Sequence, residues 1–83
     1  MSKSKSISFN NVDKYIQLGL NIAYYRKLRG MTQEQLAEAV GVSRAHLSAI
    51  EAPNIVKAFS IELLFELADA LQIDSYQLLQ FKE

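Results

Sequence analysis

One proline and three glycines in 83 residues leave this chain with almost no punctuation, and that scarcity constrains its fold more than any other feature. Between the few interruptions apolar residues recur at helical spacing, so the sequence predicts an all-α chain. A polar lead rich in Ser and Lys, residues 1–10, is expected to form a flexible basic arm, and residues 11–83 a single domain. The first helix is expected from near Asn11 to just before Gly30, with Leu18, Ile22 and Tyr25 as the stripe that faces a core. Ile16, Leu20 and Tyr24 form a second apolar line beside it. That line is either buried under the lead or the last helix or it meets a partner, and burial within the chain is the favoured expectation.

The remaining boundaries follow from capping chemistry. Thr32, with Gln35 three residues on, opens a helix that Gly41 stops; Ser43 opens another, which Pro53 ends near Glu51. Ser60 caps a fourth helix with Leu64, Leu67, Ala68 and Leu71 on one face. Asp74 and Gln77 open a short fifth that carries Leu78 and Leu79 toward the core.

Composition excludes several kinds of function. Without cysteine there are no disulfides or thiolate metal sites, and His46, the one histidine, cannot make a metal cluster alone, so no metal and no cofactor are expected. No apolar run approaches the ~20 residues of a membrane span. No signal-peptide pattern follows the lead, which points to a cytoplasmic protein. No nucleophile stands at usable spacing from a base, so an enzyme is not expected. The charge total, nine basic against nine acidic, argues at first against a polyanionic partner. Its distribution does not: through Met31, Lys3, Lys5, Lys14, Arg26, Lys27 and Arg29 oppose Asp13 alone, and the acidic excess lies in the later part.

The stretch from Gln33 to Ile50 is the informative one. Ala37 suits the close approach of two short helices, Gly41 supplies the positive φ of a tight turn, and Leu36, Val40, Val42, Leu47 and Ile50 supply the contacts that lock the pair to a core. Arg44, Ala45, Ser48 and Ala49 are left on the outer face of the second helix. This set resembles the helix-turn-helix of the Cro/C1-type repressors of lambdoid phages and the wider Xre family, with the motif at about residues 32–51. Counting the flanking helices, the resemblance extends over roughly residues 15–80. It implies a five-helix, lambda-repressor-like DNA-binding domain.

The resemblance also implies roles. Arg44, Ala45, Ser48 and Ala49 match positions that meet base edges in the major groove. Arg44 is the long donor among them, able to grip guanine O6 and N7 or only to reach a phosphate. Ala45 and Ala49 either meet a thymine methyl or simply let the backbones approach. Gln33, Ser43, His46, Lys27 and Lys57 are the phosphate candidates, with Lys3, Lys5 and Arg29 as further basic residues. Arg26 corresponds to an arginine that pairs with the glutamate ending the recognition helix, here Glu51. Two positions depart from the pattern: Glu51-Ala52-Pro53-Asn54 replaces a usual glycine after the recognition helix, and Gln72 replaces another after the fourth.

The implied function is sequence-specific binding of double-stranded DNA by a transcriptional regulator, a repressor acting as a homodimer on an inverted repeat. Tyr76 and Phe81, or Ile16, Leu20 and Tyr24, are the candidate dimer residues. The alternative is an antitoxin that regulates its own gene through the same motif and binds a toxin protein.

Overall fold

A computed structural model of the chain describes residues 11–81. Five helices follow one another without a strand among the described residues: α1 (Val12–Leu28), α2 (Gln33–Val40), α3 (Arg44–Glu51), α4 (Ile61–Leu71) and α5 (Ser75–Leu78). The flexible arm expected over residues 1–10, with Lys3 and Lys5, lies outside the described residues.

The starts are set by side chains that capture free backbone N–H groups. Thr32 Oγ1 accepts from Gln35 N at 3.0 Å while Gln35 Oε1 accepts from Thr32 N at 2.8 Å, a reciprocal capping box. Ser43 Oγ accepts from His46 N, and Ser60 Oγ from Leu63 N. At the α5 start Gln77 Oε1 accepts from Asp74 N. Gly41 ends α2 at φ 78°, where a side chain would be strained.

Gln72 ends α4 in the same left-handed region, at φ 60°, without being glycine. The guanidinium of Arg29 helps fasten this end, donating from Nε to Leu71 O at 2.7 Å and from Nη2 to Gln72 O at 3.1 Å. Gln72→Gly should therefore stabilise the fold by about 0.5–1 kcal/mol, since the relief of strain slightly exceeds the added entropy of the unfolded chain. Urea unfolding would show it as a higher midpoint at unchanged slope.

One core cluster joins all five helices: Leu18 and Ile22 of α1, Leu36 and Ala37 of α2, Leu47 and Ile50 of α3, Leu63, Leu64, Leu67, Ala68 and Leu71 of α4, and Leu78 of α5. Tyr25, Met31, Val40, Val42, Phe59 and Phe81 pack around it, partly buried. Asn21 closes the far end by donating from Nδ2 to Leu78 O and Gln80 O, which ties the exit of α5 to α1. Leu79 differs from expectation. One residue past Leu78 is about 100° round a helix, and Leu79 is exposed rather than turned to the core. The second apolar line of α1 is also not buried among the described residues: Leu20 and Tyr24 are exposed and Ile16 is half-buried. No helix of the described residues is long and apolar enough to cross a membrane.

Candidate nucleic-acid interface

The geometry of the motif begins with Gly19. A Cβ there would overlap the carbonyl oxygen of Ile50, so the missing side chain is what lets the C-terminal end of α3 lie against α1. Sequence spacing alone gives no sign of this, because a glycine in a helix reads as a tolerated weak point.

Beside that contact lies a buried ion pair. Arg26 donates from Nε to Glu51 Oε2 at 2.8 Å and from Nη2 to Glu51 Oε1 at 3.0 Å, and both side chains are almost fully enclosed. The guanidinium also donates from Nη1 to Met31 O at 2.7 Å, the last turn before α2. Such a bidentate, charge-assisted fork fixes direction as well as distance. Gln33 completes the set by donating from Nε2 to Glu51 Oε1 at 2.9 Å. One carboxylate thus receives donors from α1 and α2 while belonging to α3. Every buried side-chain polar atom among the described residues has a partner.

Held in this way, α3 buries Leu47, Ile50 and Glu51 and turns Arg44, Ala45 and Ser48 outward, exposed, with Ala49 half-buried beside them. Ser43 is exposed, its hydroxyl oxygen engaged by His46 N, and His46 is half-buried on the flank of the helix. Lys27 and Lys57 are exposed. Gln33 is half-buried at the first position of α2, with one amide hydrogen directed at Glu51 and the other left for a further acceptor. Arg29 is differently employed, its guanidinium lying on the carbonyls that end α4. The sequence holds no local signal for that contact or for the Asn21 tie to α5, which join residues more than forty positions apart.

The arrangement presents a short helix, rigidly backed, with a donor-bearing and otherwise small-residue outer face. Small side chains there permit close approach to a surface, and a single long donor can reach into a groove. Among the described residues no group of acidic, His or Cys side chains could hold a metal ion.

Residues 22–78 match the helix-turn-helix family. The chain is 35% identical over 66 residues, 80% of its length, to the HTH-type transcriptional regulator SinR of Bacillus licheniformis. It spans 59% of that relative's length and 58% of its Bacillus subtilis counterpart's. Among solved structures it is similar to a hypothetical transcription factor from Neisseria, at 31% identity and a TM-score of 0.74 over 82% of this chain and 76% of that one. The N-terminal DNA-binding domain of SinR from Bacillus subtilis superposes with a TM-score of 0.71 at 32% identity, covering 82% of this chain and 97% of the domain.

Proposed function

Because the chain belongs to the Cro/C1-type helix-turn-helix family of DNA-binding proteins, we propose that it is a sequence-specific transcriptional regulator, a repressor that occupies an inverted-repeat operator as a homodimer. The observation that carries this reading is the outward face of α3. Arg44, Ala45 and Ser48 stand clear of the protein on a helix whose opposite face is locked by Leu47, Ile50 and the Arg26–Glu51 pair. In this reading α3 enters the major groove, Arg44 grips a guanine, and Ala45, Ser48 and Ala49 meet neighbouring base edges. Gln33, Ser43, His46, Lys27 and Lys57 reach the flanking phosphates and set the register. Gln33 would do so with the amide hydrogen that Glu51 does not engage. The site of action is the cytoplasm, where an operator is reached, and occupancy blocks polymerase sterically.

Fluorescence anisotropy with duplexes selected from a random pool tests it. Arg44→Ala should cost about 1–3 kcal/mol on the preferred duplex and relax the preference at one base pair, while leaving the slope of log affinity against log salt nearly unchanged. Lys57→Ala should instead weaken all duplexes alike and reduce that slope by about 1. Absence of salt-dependent duplex binding would overturn the reading. The antitoxin alternative draws on a separate observation, the exposed Ile61 and Phe65 of α4 between Glu62, Glu66 and Asp69. A toxin-like reading frame beside the gene and a stable complex with its purified product would favour it.

A further inference from the structure

The unburied apolar line of α1 carries a charge pattern that identifies its occupant. Leu20 is 45% and Tyr24 60% exposed, and with half-buried Ile16 they form a seam on the side of α1 away from the core. Ile16 and Tyr24 stand four residues either side of Leu20, about 40° to its left and right, and Asp13 and Lys27 stand seven residues either side, within about 20° of its direction. Both charges are exposed and neither has an ion-pair partner among the described residues. Read in reverse, the seam is its own complement: acid, apolar, apolar, apolar, base.

We infer that this face pairs with a second copy of the same chain, the two α1 helices running antiparallel about a two-fold axis at Leu20. The inference rests on the DNA-binding reading only for its use. In this pairing Leu20 meets Leu20 of the second copy, Ile16 meets Tyr24, and Asp13 meets Lys27, twice over by symmetry, so that Lys27 serves the seam and the phosphate contacts fall to Gln33, Ser43, His46 and Lys57. The other exposed apolar group, Ile61, Phe65, Tyr76 and Leu79, lacks this complementarity. It is interspersed with Glu62, Glu66, Asp69 and Asp74, against which Lys14 is the one base lining the groove beside Ile61 and Leu79, and two copies brought together there would set mostly acid against acid.

The same geometry serves two-fold DNA reading. Gly19, on which the end of α3 rests, lies about 100° round α1 from Leu20. A two-fold axis perpendicular to the plane of the paired helices therefore keeps both α3 helices on one side of the dimer. One pair of helices buries less than the ~800 Å² per partner of a stable complex. The dimer is accordingly weak in solution and is consolidated by a duplex that binds both copies.

The chain has no cysteine, so a single introduced thiol reports the contact. Leu20→Cys places two thiols across the axis, within disulfide reach for closely packed helices. Under mild oxidation it should form covalent dimer at least about tenfold faster than Tyr76→Cys, a more exposed control on α5. Adding Asp13→Lys to Leu20→Cys should slow the reaction about fivefold at low salt, and adding Lys27→Asp as well should restore it, because the swap rebuilds both pairs. Circular dichroism verifies that each variant is folded. Equal crosslinking rates at positions 20 and 76, or a charge swap without rescue, would overturn the interface. Binding of the unlinked protein to a duplex bearing one half-site tests the DNA reading separately. Half-site binding without fast crosslinking removes the interface alone, whereas fast crosslinking in a protein that binds no duplex upholds the interface and removes the DNA reading.

Discussion

Glu51→Ala should remove about 3–5 kcal/mol of stability, because it leaves the Arg26 guanidinium buried without its counter-charge. A domain of this size has in total about 4–12 kcal/mol to lose. The variant would therefore lose at least about a quarter of that stability, and urea denaturation would show the midpoint falling in proportion. The loss reflects the orphaned partner rather than the strength of the pair. Arg26→Met combined with Glu51→Leu, which removes both charges, should recover most of the deficit while giving up the fixed direction of α3. Gln33→Ala, which removes only the third donor to the same carboxylate, should cost about 1 kcal/mol. If Glu51→Ala were as mild as Gln33→Ala, the pair would not be what orients the motif.

Gly19→Ala should also be damaging, and its sign is diagnostic. Replacing glycine by alanine inside a helix ordinarily gains about 1 kcal/mol. Here the new methyl would overlap Ile50 O and lie 3.2 Å from Ile50 C and 3.4 Å from Glu51 Cα, all backbone atoms with no rotamer by which to escape. α1 and α3 would have to part. Overpacking of this kind outweighs the propensity gain and leaves a net loss of about 2 kcal/mol. For a domain this small that lowers the melting temperature by about 10 °C. A rise in melting temperature would show that the two helices can separate without penalty.

These two residues also mark where sequence reading succeeds and where it stops. Thr32, Ser43, Ser60 and Gln77 act on backbone groups three residues away, so the helix starts are written locally and were legible. The apolar positions of α2, α3 and α4 follow a helical period, and the core residues among them could be read the same way. The partnership of Arg26 with Glu51 was implied by resemblance, not by spacing. Gly19, Asn21 and Arg29 act across the fold, on Ile50, Leu78 and Leu71, and nothing within a few residues of each signals its partner. Gln33 shows the same limit, since its position at a helix start suggests an external acceptor while its bond to Glu51 becomes visible only when α2 and α3 are placed together. The exposure of Leu79 and of the Leu20–Tyr24 line follows from which faces the neighbouring helices cover, and that is a property of the assembled bundle.

In the proposed reading, recognition and support occupy different residues of α3. Leu47, Ile50 and Glu51 carry the bonds and the packing, while the side chains of Arg44, Ala45 and Ser48 point into solvent. Exchanges at such positions usually change stability by no more than about 0.5 kcal/mol. A duplicated copy of this gene could therefore drift to a new operator through substitutions that folding does not oppose. Divergence of regulatory targets would need no compensating change in the core, and the same scaffold could be retargeted in the laboratory by randomising those positions alone.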